Sequence, residues 1–326
     1  MITYSIIKKS QLEGSHRLDA EYYQPEYLDL ENKLKETKTY KTWRDIEGKF
    51  VTGPFGSEFN VENYISNGRY RYIRGKDVKE FFLTDNDNVY IPEKDFKRLN
   101  KYALQNSDLL VSVVGTLGNV AIVDNTTLPA IFSCKSTVFR TKQINPYYFL
   151  AYLNSKYGEK LLERSVRGAV QTGLNIDDLK DLLVFIPSPI IQENIGEMIE
   201  NSKSELENSK SLYSQAENLL LEELGLKDYK PENELWNVVN LSEVKKADRI
   251  DPEYFQPRYK KLESKIGGYS HKPLEKILEN VPAKFDPAKQ PDKLFKYVEL
   301  SNINASIGII DGFSEVLGRE IPSRAR

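Results

Sequence analysis

The sequence predicts an α+β chain: a globular unit, a long coiled-coil-type helix, and a partial second copy of the unit. Three observations carry this. The phrase "RLDAEYYQPEY" at 17–27 returns as "RIDPEYFQPRY" at 249–259, with Leu18/Ile250 and Tyr23/Phe255 conservatively exchanged, and internal self-similarity marks a structural unit used twice. Between 70 and 141, short runs rich in β-branched and aromatic residues alternate with turn residues, as strands and hairpins do. Residues 190–224 hold no proline and one glycine, and their apolar and small residues recur in steps of three and four, the period of an amphipathic helix.

In chain order, Pro25 suits the first turn of a helix running towards Thr37. The strand candidates are "YRYIRGKDV", "DLLVSVV", "NVAIVD" and "STVFRT", with Gly118 and Asn119 as a hairpin turn. "INPYYFLAYLNSKYGEKLLERSV" offers Asn145 as N-cap and Pro146 at the first helical position, followed by helical spacing. After "FIPSP" comes the long helix, about 50 Å at 1.5 Å per residue, with Ser202, Ser209 and Ala216 small enough for close approach of a second helix. Gly225 ends it, and the polar "LKDYKPENEL" reads as a linker. The expected boundaries are 1–187 for the first unit, 188–225 for the helix, 226–247 for the linker and 248–326 for the partial copy. Weaker echoes continue the repeat: "YIRGKDV" against "YVELSNI", and "VYIPEKD" against "REIPSRA".

With 326 residues, 40% of them hydrophobic, the chain is long enough for about two domains. "MITYSIIKKS" lacks the apolar core of a signal peptide, and "LLVSVVGTLGNVAIV" is too short and too broken to span a bilayer. A cytoplasmic protein is therefore expected. One cysteine and two histidines leave no disulfide and no clustered zinc ligands, so neither metal nor cofactor is expected. A formal charge of −2 means that attraction to nucleic acid must come from local patches.

The segments "LLVSVVGTLGNVAIV", "INPYYFLAYLNS", "RGAVQTGLNIDDLKDLLVFIPSP" and the helix start "IIQENIGEMI" arrive in one order and cover most of 10–225. Each is loose alone; together they are specific. The chain resembles the DNA specificity subunits of type I restriction-modification systems, in which a target-recognition domain is followed by a long helix and the arrangement is duplicated. Two departures stand out. The family usually has Glu-Gln where this chain has Glu193-Asn194, and the second recognition domain is short. The resemblance implies a non-catalytic subunit that reads double-stranded DNA and guides methyltransferase (M) subunits, and through them an ATP-dependent restriction (R) subunit, to a bipartite site.

Three segments are candidate DNA contacts. "NGRYRYIRGKDVK" concentrates Arg69, Arg71, Arg74 and Lys76; strand alternation would put Arg69 and Arg71 on one face and Arg74 and Lys76 near the next turn, where they can reach guanine edges or phosphates. "VTGPFGSEF" is a Gly/Pro loop presenting Phe55 and Ser57. "RSVRGAVQTGLN" offers Arg167, Gln171 and Asn175 around two glycines. A solvated strand face and plain turns explain the same patterns. Cys134 and Lys135 read better as a strand residue and a surface lysine than as a reading pair. The helix surface for a partner comprises Ile191, Ile195, Met198, Leu212, Ala216 and Leu219.

Enzymatic readings fare worse. "NPYY" approaches the Asn-Pro-Pro-Tyr motif of adenine methyltransferases but lacks the second proline and a glycine fingerprint for the methyl donor. "RGKD" lacks the glycine spacing of a phosphate loop and has Asp77 where Ser/Thr is required. An oligomerising scaffold without sequence-specific DNA binding remains the alternative. Since the second copy lacks counterparts of the apolar strands and of a second long helix, it is expected to be loosely ordered or to lean on the first unit. The first helix would then find its partner in an antiparallel homodimer, whose two domains read half-sites about 34–36 Å apart.

Overall fold

The computed structural model describes residues 4–15, 17–168, 172–231, 234, 236–279, 286–305 and 307–322. They form two units, Met1–Ser214 and Gln215–Arg326.

In the first unit α1 (Pro25–Glu36) precedes β1 (Gly48–Thr52), β2 (Tyr70–Ile73), β3 (Phe81–Phe82), β4 (Tyr90–Ile91), β5 (Leu109–Ser112), β6 (Val120–Ile122), β7 (Ala130–Phe132) and β8 (Ser136–Thr141). Helices α2 (Pro146–Leu153), α3 (Lys156–Ser165) and the long α4 (Pro189–Glu223) follow. Five strands pair in the order β1, β8, β5, β6, β3, and three in the order β4, β2, β7. Alternation explains why "LLVSVV" is apolar throughout. Leu109 and Val111 face the helices, where Trp43, Phe139 and Phe149 meet edge to face, while Leu110 faces Ile73, Ala130 and Phe132 of the smaller sheet. A strand covered on both sides has no polar face to show.

The predicted 145–166 helix is two helices. Asn145 caps the first, accepting from the amides of Tyr147 and Tyr148 at 2.9 and 3.1 Å. Ser155 starts the second by accepting from the Gly158 amide at 3.2 Å. A Cβ at Gly158 would stand 2.2 Å from the Tyr152 carbonyl oxygen, so the tight corner requires glycine there.

Helix α4 is anchored through its first turns. Ile195 and Ile199 pack on the domain core, and the Asn145 amide donates to Gln192 at 3.2 Å. Lys203 pairs with Asp124. Burial pushes the Asp124 carboxyl up, but hydrogen bonds from Lys203 and Thr126 and the lysine charge outweigh it, so it titrates below the ordinary aspartate range. A carboxyl whose pKa folding depresses stabilises the fold at neutral pH and loses that contribution as pH falls below about 4. Asp124→Asn should therefore cost about 1–2 kcal/mol at pH 7, allowing for partial exposure. In urea titrations the difference from the native chain should shrink as pH falls through this depressed pKa.

In the second unit the helix Leu241–Ala247 occupies part of the expected linker, followed by the helix Pro257–Ile266 and the strand pairs Leu294–Tyr297 with Ser314–Leu317 and Ile303–Asn304 with Ile309–Ile310. The repeat extends to local geometry. In the first unit β2 leads into a 3₁₀ turn at Gly75–Asp77 closed by Arg74 and Asp77; in the second, Leu294–Tyr297 leads into one at Leu300–Asn302 closed by Glu299 and Asn302. What differs is burial. Leu274, Leu278, Leu300 and Ile310 are each more than 60% exposed, so these four lack the cover that the first unit's strands possess.

Candidate nucleic-acid interface

Strand direction gathers the loops. β1 pairs antiparallel with β8, Thr52 opposite Thr137; β5 pairs antiparallel with β8, Ser112 opposite Ser136; β2 runs parallel to β7, Ile73 beside Phe132. The loops at 53–58, 74–77, 113–119 and 133–135 therefore leave from one edge. The turn at 133–135 is their junction, because it passes the chain from the small sheet to the large one. The Ser133 amide donates to the Ile73 carbonyl at 2.9 Å, and the Lys135 carbonyl accepts from Val113 and Val114 at 2.9 and 3.3 Å. A Cβ on Gly53 would lie 2.4 Å from the Ser133 carbonyl carbon, and one on Gly75 would lie 2.9 Å from Lys135 Cβ. Glycine at these two positions permits the loops to close on the junction. A bridge from Val114 to Gly173 adds the polar 172–175 loop.

The Phe55 loop thus reaches this edge, the third segment reaches it through residues 172–175, and the basic one reaches it only at its end. Phe55 is 63% exposed, and Ser57 and Asn175 are exposed. Gln171 lies outside the described residues. Arg69 is exposed, its guanidinium 5.7 Å from the Tyr70 ring centre, but it sits at the opposite end of β2 from Arg74, about 16 Å away along extended chain. The expected alternation fails at Arg71. This residue is buried, with its guanidinium against the Thr84 carbonyl and 3.6 Å from Asp85, because β2 is the central strand of its sheet and is covered on both faces.

Carboxylates hold most of the remaining cations. Arg74 donates through Nε and Nη2 to Asp77 at 2.9 Å and also reaches Asp87; Lys76 pairs with Asp87 at 2.8 Å. Arg167 makes two 2.6 Å bonds to Asp178. These bonds raise the pKa of both arginines above the ordinary value. Arg74 is therefore a structural clamp as well as a surface cation. Arg74→Ala should lower stability by about 2–3 kcal/mol by stranding the buried Asp77 carboxylate; thermal melting measures it. By contrast, Lys135 is exposed at the junction and carries no ion pair among the described residues. The sequence reading took it as a surface lysine, and only the sheet topology places that lysine at the loop junction.

On the helix, Ile195 faces its own domain, whereas Met198, Leu212 and Leu219 are 69%, 56% and 60% exposed. Ile191 is half-exposed, and Ala216 is exposed on the same length of helix. Residues Met198, Leu212 and Leu219 keep the seven-residue period of a coiled-coil seam.

The fold is an α+β domain followed by a long helix, with several loops gathered at one sheet edge. A family model described as the Type I restriction modification DNA specificity domain matches residues 54–217, half of the chain, and the chain belongs to that family. No curated protein matches its sequence. Solved structures similar to it include a type I S subunit from M. genitalium (18% identity, 57% of this chain and 44% of that one, TM-score 0.44). Others are the HsdS subunit from Thermoanaerobacter tengcongensis (16%, 62% and 49%, TM-score 0.37) and a chain of a type I R-M assembly (15%, 65% and 52%, TM-score 0.39). The chain spans about half the length of these structures. No helix among the described residues is long and apolar enough to cross a membrane.

Proposed function

We propose that this chain is a non-catalytic DNA-reading subunit that directs methyltransferase and ATP-dependent restriction subunits to a bipartite site. The observation that supports it is the convergence of the 53–58, 74–77 and 172–175 loops on the 133–135 turn. Phe55, Ser57 and Asn175 would meet the groove at this edge, and Lys135 would meet a phosphate or base edge. Arg74, Lys76 and Arg167, already paired, would act as a fixed cationic frame; Gln171 completes the set from the sequence. Helix α4 would hold the domain at a set distance from a second one by pairing its seam with another long helix. In the simplest arrangement that helix belongs to a second copy lying antiparallel.

The test is a binding titration of the full chain with methyltransferase subunits over a range of salt. Lys135→Ala should weaken specific binding by about 1–3 kcal/mol if the lysine reads a base. If it contacts phosphate alone, all sequences weaken together and the salt slope falls by about one. Unchanged affinity and slope would exclude this edge from the interface. A scaffold would show no sequence-selective binding at all.

A further inference from the structure

The duplicated phrase does different work in its two copies. In the first, Arg17 holds Asp19 through Nε and Nη2 at 2.8 and 2.5 Å, and its guanidinium lies 4.6 Å from the Tyr22 ring centre. Its remaining N–H groups donate to the carbonyls of Ser165 and Val166, at 3.3 and 2.9 Å, where α3 ends. Arg164, from the last turn of α3, reaches back. Its Nε donates to the Tyr22 carbonyl at 2.9 Å, its Nη1 to Glu31 at 2.6 Å, and its guanidinium packs 4.1 Å from the same ring. The phrase, together with Glu31 just beyond it, is thus a socket for a helix C-terminus. It supplies a cation to orphan carbonyls, where the helix dipole is negative, and a carboxylate, a carbonyl and an aromatic ring to an arginine.

The second copy preserves each part. Arg249 holds Asp251 through Nε and Nη2 at 2.8 and 3.1 Å and lies 4.5 Å from the Tyr254 ring centre. Glu263 follows Tyr259 at the spacing by which Glu31 follows Tyr27. Yet the Arg249 side chain is 53% exposed where that of Arg17 is 3%. Tyr259 is 38% exposed where Tyr27 is 5%. Arg249, Tyr254, Tyr259 and Glu263 line an open cavity of about 720 Å³.

We propose that residues 249–263 are a docking socket for a helix C-terminus bearing an arginine in its last turn, of the chemistry that "LLERSV" presents to the first copy. Residues 161–166 of the first unit are not the occupant, since Arg17 of the first copy already clamps them. Pre-organisation favours this. The Arg249 and Asp251 chelate and the tyrosine stack stand in bound geometry, so docking need order little beyond the incoming arginine. The site is independent of DNA reading.

The probe is a fluorescein-labelled peptide of residues 153–168, titrated by anisotropy against the full chain. Saturable binding is expected. It should weaken at least about tenfold when the peptide carries alanine in place of Arg164, and equally in the protein variants Glu263→Gln and Arg249→Ala, whose exposed positions leave folding intact. Absence of saturable binding overturns the proposal. So does binding that survives Glu263→Gln and Arg249→Ala, because the peptide would then be seated elsewhere.

Discussion

Arg17→Ala should cost the first unit about 3–5 kcal/mol, the range for removing one partner from a buried charged network. The same replacement at Arg249 should stay within about 0.5 kcal/mol, as an exposed pair contributes little. The residues share a phrase, a carboxylate two positions on and a tyrosine stack, and differ in what covers them. Arg17 is buried against the end of α3, and its loss strands the Ser165 and Val166 carbonyls, while Asp178 keeps Arg167 alone. Arg249 stands in solvent. Urea denaturation followed by tryptophan emission separates the two cases, since Trp43 is fully buried in the first unit and Trp236 is 77% exposed in the second. Equal losses would show that the second phrase is packed in solution as the first one is.

The double variant Leu212→Asp, Leu219→Asp should abolish assembly through α4 while leaving the first unit's unfolding transition in place. Both side chains are more than half exposed, so aspartate there costs the isolated chain little. In a helix pair the same positions face a partner's apolar seam, where two unpaired carboxylates would each cost several kcal/mol. Light scattering of the chain alone and with methyltransferase subunits gives the result directly. Assembly that survives both changes would mean that α4 is not the joining surface.

The sequence made most of this legible where local pattern and burial agree. The run around Leu109 and Val111, the Asn145 cap and the long stripe of α4 each state their structure within a few residues. Long-range pairing was not legible. Nothing near Arg74 or Arg167 says that Asp87 or Asp178 will take their charge, and the basic "NGRYRYIRGKDVK" therefore overstates the free cations at the surface. Lys135 shows the reverse. An isolated lysine in "FSCKSTV" has no local signal, and its place at the loop junction follows only once β2, β7 and β8 are paired. The break between α2 and α3 was missed because helical spacing runs on through it; Ser155 and the close approach at Gly158 decide it.

The central claim is that the loop edge chooses the DNA sequence. Base-resolved methylation sequencing tests it, in cells that express the chain with its methyltransferase and restriction partners. The account predicts one bipartite motif methylated only when the chain is present. It predicts that Lys135→Ala combined with Phe55→Ala abolishes or changes that motif while the chain still co-purifies with the methyltransferase. An unchanged motif with both side chains removed, or no methylation that depends on the chain, would contradict it.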